Sequence, residues 1–184
     1  MRYLESPHFN ARPLIKGKDK GIDMIVLHAI SLPAGSFDTC YIDDFFLGNL
    51  DISAHESFRD LEGVRVSAHF VVDRKGKVTQ FVPCEQRAWH AGKSSWLGRD
   101  NCNDYAIGIE MIGDEAQPFT KQQYRETARL CRVLMQRYTK INADRIVGHQ
   151  DIAPGRKWDP GVQWDWTHFH RSLQHIQKLD LEIR

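Results

Sequence analysis

The 184-residue sequence lacks several features that mark specialised classes of protein. It has no run of eighteen apolar residues, so a membrane-spanning helix is not expected. Its 25 basic and 24 acidic residues leave a formal net charge of +1, which predicts no long-range attraction to nucleic acid or to a membrane surface. Residues 1–8 lack the apolar stretch of a secretory signal peptide. We therefore expect a cytoplasmic protein with neither nucleic acid nor membrane as a partner.

Cysteine is scarce, and its spacing argues against a cysteine metal site. Cys40, Cys84, Cys102 and Cys131 include no C-x-x-C pair. An even number would permit two disulfides, but free thiols are expected in a protein that stays in the cytoplasm. The short H-E-x-x-H zinc motif is also absent, so any metal site must be assembled from distant parts of the chain.

Short apolar runs are interspersed with segments of helical spacing, which predicts an α/β protein. A chain of this length with 41% hydrophobic residues can bury one core, so we expect a single domain and a monomer. Residues 1–20 are polar and contain Pro7, Pro13 and Gly17. They are interpreted as an extended arm lying on a core of residues 21–180.

The apolar spacing predicts a sheet of five or six strands with helices packed on it. Predicted strands cover residues 22–30, 67–72, 77–82, 105–112 and 145–147. Predicted helices cover residues 39–47 and 120–138, with a final helix ending near residue 179. Residues 49–63 look irregular.

Turn and capping residues support these boundaries. Gly76 in the turn between the second and third strands predicts a hairpin. Thr120 and Gln123 form a capping box at the start of the second helix. Asp38 is a candidate cap for the first helix, and either Asp165 or Thr167 for the last.

Three widely separated residues have the chemistry of a single metal site. His28 and His149 each end a short apolar run, and Asp159 precedes Pro160 and Gly161. Two imidazoles and a carboxylate leave the fourth position of a tetrahedral zinc site open for water, as in catalytic rather than structural sites. Each residue also has an ordinary explanation, because strand-end histidines commonly pack in cores and Asp before Pro-Gly commonly forms a turn.

Five motifs, in order, resemble those of the zinc-dependent N-acetylmuramoyl-L-alanine amidases. The most specific is residues 148–161, GHQDIAPGRKWDPG, which is similar to the signature G-H-x-D-I-A-P-x-R-K-x-D-P-G. The others are residues 26–33, 65–69, 87–92 and 102–110, and the similarity extends from about residue 6 to residue 169. The resemblance implies a mixed central sheet flanked by helices, a fold shared with peptidoglycan-recognition proteins and phage amidases. It also implies Zn²⁺ held by His28, His149 and Asp159.

The resemblance further implies two catalytic residues, Glu110 and Lys157. From the pattern alone, Glu110 could equally be a strand-end carboxylate that reaches solvent, and Lys157 a solvated lysine. In the family, the carboxylate at the Glu110 position moves a proton from the attacking water to the leaving amine. Lys157 lies two residues before Asp159, so its ammonium could stabilise the oxyanion of the tetrahedral intermediate. The expected substrate is a small 1,6-anhydromuropeptide, cut between N-acetylmuramic acid and L-alanine during cell-wall recycling.

Weaker candidates for substrate contacts are Trp89, His90, Arg65, Arg99 and Asn103. Trp89 offers a flat face for a sugar ring, with core packing as an equal alternative. His90 could line the groove or support the site from behind. The two arginines suit the carboxylates of a stem peptide, although an exposed arginine is usually only solvated. Asn103 either holds the loop before Glu110 or touches ligand amides.

Two positions depart from the family pattern. Related sequences usually have Asn after the first histidine and a small or polar residue before the aspartate, where this chain has Ala29 and Trp158. Neither change removes a proposed ligand or the proposed base, so they bear on affinity and substrate range.

Three other functions are compatible with the motifs. A phage-type lytic amidase would act on intact peptidoglycan and would be expected to carry a wall-binding module or an export route. A non-catalytic peptidoglycan-binding module would be expected to lose a metal ligand. In a protein whose zinc only holds the fold, Glu110 would be dispensable.

Overall fold

The structure is a computed structural model and describes residues 1–14 and 21–182. The strands in this part of the chain are β1 (Arg2–Tyr3), β2 (Phe9–Ala11), β3 (Met24–Ile30), β4 (Phe70–Val72), β5 (Val78–Gln80), β6 (Gln86–Ala88), β7 (Ser95–Trp96), β8 (Arg99–Asp100), β9 (Ala106–Ile112) and β10 (Ile146–Gly148). The α-helices are α1 (Tyr41–Leu47), α2 (Lys121–Arg137), α3 (His149–Ile152) and α4 (Trp166–Glu182). Short 3₁₀ helices cover Glu56–Leu61, Cys102–Asp104 and Ala143–Arg145.

Six strands form a mixed central sheet in the order β1-β5-β4-β9-β3-β10. The β4–β5 pair is antiparallel, and every other neighbouring pair is parallel. The central pair β3–β9 is in register over seven residues, from Met24 opposite Ala106 to Ile30 opposite Ile112. Two small antiparallel sheets, β2–β6 and β7–β8, lie outside this sheet. The α/β class with a mixed sheet flanked by helices is therefore confirmed, in one domain.

Side-chain alternation along β3 and β9 gives the sheet two different faces. One face packs against α2 and α4 in a cluster that includes Ile25, Leu27, Ile107, Ile109 and Met111. The opposite face packs against loops and α3, in a cluster that includes Met24, Val26, Ala91, Ala106 and Ile152. Burial on both faces explains why these two strands are continuous apolar runs in the sequence.

The predicted hairpin is confirmed, although its strands are shorter than expected. Asp73 shapes the turn, since its Oδ1 accepts the backbone N–H groups of Lys75 and Lys77, both at 2.8 Å. The capping box of Thr120 and Gln123 is present at the start of α2. Asp165, rather than Thr167, caps α4 by accepting the N–H of His168 at 2.9 Å.

Two local predictions are wrong. Asp38 does not cap α1, because the helix begins at Tyr41 after Cys40, which makes no side-chain cap. The Thr39 hydroxyl donates instead to the Leu32 carbonyl at 2.7 Å and fixes the chain before the helix starts. The segment 49–63 is not wholly irregular, since it contains the 3₁₀ helix Glu56–Leu61, anchored by the fully buried Phe58.

The N-terminal arm does not only lie on the core but also contributes strands to two sheets. Its strand β1 joins the central sheet and β2 pairs with β6, while residues 15–20 lie outside the described residues. All four cysteines are free, which confirms the expectation of thiols. None of the helices in the described part combines the length and apolar character needed to cross a lipid bilayer.

Candidate active site

Three buried side chains meet on the sheet face opposite α2 and α4. His28 Nδ1 lies 2.9 Å from His149 Nδ1 and 3.2 Å from Asp159 Oδ2. His149 Nδ1 lies 3.1 Å from the same carboxylate oxygen. The residues are 121 and 131 positions apart from His28 in the chain, yet they converge as the sequence predicted.

The sheet and the loop after α3 bring these groups together. His28 is in β3, next to its parallel neighbour β10, and His149 is the first residue of α3 immediately after β10. Asp159 follows α3, and its backbone carbonyl accepts the N–H of Gln150 at 2.9 Å. That bond holds the loop containing Asp159 beside the start of α3, so the side chains of His149 and Asp159 both face His28.

The arrangement fits a divalent metal ion. Ligands 2.0–2.1 Å from a tetrahedral zinc are separated from each other by about 3.3 Å, close to the separations found here. Of the described residues, these three are the group whose geometry could hold an ion. Three protein donors of mixed nitrogen and oxygen type also leave one tetrahedral position open.

Hydrogen bonds to the outer ring nitrogens prepare both histidines for metal binding. His149 Nε2 lies 3.1 Å from the Ala91 carbonyl, which can only accept, so Nε2 carries the proton and Nδ1 keeps its lone pair. His28 Nε2 lies 2.9 Å from His90 Nδ1, which can accept a hydrogen bond from a protonated Nε2 in the same way. Such outer partners commonly fix the ring orientation and tautomer of metal-binding histidines.

Burial and neighbouring charges favour the protonation states that a metal ion requires. Burial lowers the pKa of His28 to about 4, so this ring is neutral near pH 7. Burial alone would raise the pKa of the Asp159 carboxyl, but its contacts with His149 and His28 outweigh burial and hold that pKa well below the ordinary value. Neutral imidazoles and an ionised carboxylate are the metal-binding forms of these groups.

Glu110 stands beside the three residues. In the β3–β9 register it lies directly opposite His28, and its Oε1 is 4.0 Å from His28 Nδ1. Its other oxygen, Oε2, is buried and has no hydrogen-bond partner among the described residues. Burial, followed by repulsion from Asp159, raises the pKa of Glu110 well above the ordinary value, while Lys157 lowers it. A carboxyl group whose pKa is raised in this way holds a proton more readily than an exposed glutamate does.

A cavity of about 290 Å³ opens over these groups. Glu110, His149 and Asp159 line it, together with Lys157, Trp89 and His90. Trp158, one of the departures from the family pattern, also lines the cavity and is 40% exposed. A Cβ at Gly161 would lie 2.8 Å from a ring carbon of Trp158, so the glycine allows the indole to pack closely against the backbone there.

The N-terminal arm fixes the orientation of Trp89. The indole Nε1 donates to Asn10 Oδ1 at 2.7 Å, and the ring stacks on His8 with centroids 6.1 Å apart. The Trp89 backbone N–H donates to Ser67 Oγ at 3.1 Å. An aromatic wall of the cavity is therefore held by residues that precede the core.

The other three candidate substrate residues do not line this cavity. Arg65 is exposed and lines a neighbouring depression with His8 and Val64. Arg99 pairs with Asp23 at 2.6 Å, and its guanidinium lies 3.7 Å from the centre of the Tyr105 ring. Asn103 is buried and accepts backbone N–H groups, as described below.

Sequence reasoning missed the apolar side of the cavity. It is formed by the end of α1, the end of the first 3₁₀ helix and the segment after it, and its residues are Phe45, Phe46, Leu61, Val64 and Val66. The apolar spacing predicted a helix over residues 39–47, but nothing local indicated that its Phe45 and Phe46 lie beside His28, His149 and Asp159.

The comparisons with known proteins agree with this geometry. Residues 18–162 match the family described as N-acetylmuramoyl-L-alanine amidase. The chain is 47% identical over 173 residues to a 1,6-anhydro-N-acetylmuramyl-L-alanine amidase AmpD of Haemophilus influenzae, covering 94% of this chain and 92% of the relative.

Solved structures show the same similarity. A crystal structure of a selenomethionine AmpD derivative superposes with a TM-score of 0.88 at 42% identity, covering 94% of this chain and 93% of that one. The amidase AmiD of Escherichia coli, in complex with anhydro-N-acetylmuramic acid-L-Ala-D-γ-Glu-L-Lys, superposes with a TM-score of 0.62 at 26% identity. That alignment covers 90% of this chain and 65% of AmiD.

Proposed function

Because the chain belongs to the N-acetylmuramoyl-L-alanine amidase family, we propose that it is a zinc-dependent amidase of 1,6-anhydromuropeptides. The bond that it hydrolyses is the amide between N-acetylmuramic acid and L-alanine. The observation that carries this proposal is that the possible ligand atoms of His28, His149 and Asp159 all lie within 4.8 Å of one another, with Glu110 beside them. The resemblance of the sequence motifs to this family is confirmed.

The named relatives support a small, soluble substrate. One, matched over nearly its whole length, is a 1,6-anhydro-N-acetylmuramyl-L-alanine amidase, and another was solved in complex with an anhydromuramyl tripeptide. A single core of this size, with a net charge of +1, is consistent with cell-wall recycling in the cytoplasm by a monomer. We assign residues 21–180 to the catalytic core and residues 1–14 to an arm that supports it.

Zinc is the metal that suits this donor set. Two imidazole nitrogens and one carboxylate oxygen, with a fourth position open, are typical ligands of catalytic zinc. When bound, zinc supplies Lewis-acid polarisation of the amide carbonyl and makes water more acidic.

Glu110 is proposed to move the proton. Its carboxylate takes a proton from the attacking water, and the resulting carboxyl group returns it to the leaving amine of L-alanine. The 4.0 Å separation between its Oε1 and His28 Nδ1 supports this role, because a water and an amide bound at the proposed metal site would lie next to Glu110. Its raised pKa favours the protonated form, which is the form that acts as an acid.

Lys157 and the cavity walls complete the proposed site. Lys157 lines the cavity, and its charge lowers the pKa of Glu110 and of His28, which supports a role in stabilising the oxyanion. Trp89, held by Asn10, is proposed to contact the sugar ring. Arg65, Arg99 and Asn103 are not proposed as direct contacts, because they do not line the cavity. His90 lines the cavity, but its Nδ1 contacts His28, so we propose that it supports that ring.

The test compares wild-type protein with Asp159→Ala for bound zinc and for hydrolysis of anhydro-N-acetylmuramyl-L-Ala-D-γ-Glu-L-Lys. Wild type should bind one zinc, lose activity when a chelator is added and regain it when zinc is restored. Asp159→Ala should neither retain zinc nor hydrolyse the substrate. Polymeric peptidoglycan, assayed in parallel, should be a poor substrate, and preference for the polymer would favour a lytic amidase. Full zinc occupancy in Asp159→Ala would refute the ligand assignment.

A further inference from the structure

His90 and Ala91 are consecutive residues, and each contacts one of the two histidines that we propose as metal ligands, His28 and His149. The ring of His90 supplies the Nδ1 that lies 2.9 Å from His28 Nε2. The next residue, Ala91, supplies the backbone carbonyl that lies 3.1 Å from His149 Nε2. The orientation of both metal-type rings therefore depends on where this short segment sits.

The segment is held by Arg156, which donates to the Ala91 carbonyl at 2.6 Å, and by one side-chain oxygen that accepts both of its backbone N–H groups. Asn103 Oδ1 accepts the backbone N–H of His90 at 3.0 Å and the backbone N–H of Ala91 at 2.8 Å. Asn103 lies in the 3₁₀ helix Cys102–Asp104 and is 5% exposed, so these bonds form away from bulk water. Its own backbone carbonyl accepts a bond from the buried Arg12 guanidinium at 2.9 Å.

We infer that Asn103 is a positioning residue that presets His28 and His149 for metal binding by holding residues 90–91. The inference rests on the proposed metal site and assigns Asn103 a different role from substrate contact. Without the Oδ1 acceptor, two buried N–H groups would lose their partner, and the segment would have to shift or admit water to satisfy them. Either change would move the His90 ring and the Ala91 carbonyl together, and these are the hydrogen-bond acceptors for His28 and His149.

The strand beneath the segment restricts how it can move. The His90 ring lies against β9 at Gly108, where an added Cβ would be 2.4 Å from a ring carbon. The same glycine precedes Glu110 by two residues on the same face of β9. The ring of His90 is thus restrained by its contact with β9, and its backbone by the bond to Asn103. The position of its Nδ1 relative to His28 is therefore restricted.

The test measures zinc affinity by competition with a chromophoric chelator in wild type, Asn103→Leu and Asn103→Asp. Leucine keeps the approximate size and removes the acceptor, whereas aspartate keeps an oxygen at the Oδ1 position. We expect Asn103→Leu to weaken zinc binding by 10- to 100-fold, the usual effect of losing an outer partner of a metal ligand. Asn103→Asp should stay within a few-fold of wild type. The absorption spectrum of the cobalt-substituted protein should change in the leucine variant and not in the aspartate variant.

A matched control separates positioning from general loss of stability. Thr120→Ala removes the side-chain cap of α2, far from residues 90–91, and is expected to destabilise the fold by about 1 kcal/mol. It should leave zinc affinity unchanged. An equal loss of affinity in Thr120→Ala and Asn103→Leu would overturn the inference, as would wild-type affinity in Asn103→Leu.

A second variant decides the question if Asn103→Leu does not fold. His90→Leu removes the acceptor for His28 but leaves the backbone bonds to Asn103, so it should weaken zinc binding through one histidine alone. Unchanged affinity in His90→Leu would then refute the role of the segment. Absence of zinc binding in wild type would instead refute the proposed metal site itself, so the two failures are distinguishable.

Discussion

Replacing Glu110 with Gln removes the proposed proton carrier while keeping its size and the shape of the site. Gln can neither take a proton from water nor deliver one to the leaving amine, so both halves of the proton transfer are lost. General acid–base catalysis by one positioned group is worth about 10²- to 10⁴-fold in rate. We therefore expect kcat to fall by that factor, equivalent to about 3 to 5 kcal/mol of activation barrier.

Although Glu110→Gln should lose activity, the metal-free variant should not lose stability against unfolding. The raised pKa of Glu110 means that, at pH values above the ordinary glutamate pKa of about 4.3, the folded protein retains a proton that the unfolded chain has lost. In that window, stability of the metal-free wild type falls as pH rises. Gln cannot ionise, so the metal-free variant should be at least as stable as wild type at pH 7 and should lack this part of the pH dependence.

Three measurements on the same preparations test this reasoning. Peptide release from the anhydromuramyl tripeptide gives kcat, a metal assay gives zinc content, and thermal unfolding of the metal-free proteins between pH 5 and 8 gives stability. Zinc content should match that of wild type, because Glu110 is not one of the three ligand-type residues. Near-normal turnover in Glu110→Gln would refute its role as the proton carrier, and loss of zinc would show that it acts as a ligand instead.

The other predictions concern two cavity residues next to Asp159. Lys157→Met should lower kcat by roughly 10²-fold, near the lower end for loss of an oxyanion-stabilising group, since the lysine is exposed. Because Lys157 lowers the pKa of Glu110, the acid limb of the kcat profile should also move to higher pH, and an unmoved limb would contradict the proposed proximity. Trp158→Thr should raise KM for the anhydromuramyl tripeptide and leave kcat nearly unchanged. If substrate covers roughly 50 Å² of the exposed indole, about 25 cal/mol per Å² gives a roughly five- to tenfold change. A conservative Trp158→Phe should recover most of it, and an unchanged KM in Trp158→Thr would show that the ring does not contact substrate.

The sequence predicted those parts of the fold that depend on local signals. The continuous apolar runs of β3 and β9 follow from burial on both faces, and the Thr120 capping box acts within four residues. The ligand-type residues could be named because their motif specifies chemistry as well as spacing. The position of Glu110 opposite His28 follows from strand register, which the sequence alone did not give.

What the sequence could not predict depends on pairing between distant segments. The arm residue Asn10 bonds to Trp89, 79 positions away, and no local pattern marks either one for the other. Arg99 was a candidate for a ligand carboxylate, but Asp23, 76 positions earlier, already satisfies it. The sequence does not define the role of Asn103, because its side chain bonds to backbone N–H groups, which no residue type marks.

The arm also bears on how recombinant fragments of this protein should be cut. The family match begins at residue 18, yet His8, Asn10 and Arg12 form contacts that reach the cavity wall and the segment behind the metal-type histidines. A fragment trimmed to the matching boundary would keep every catalytic group and still leave Trp89 without its anchor. Low turnover in such a fragment would then reflect the lost contacts of the arm rather than a defect in the catalytic residues.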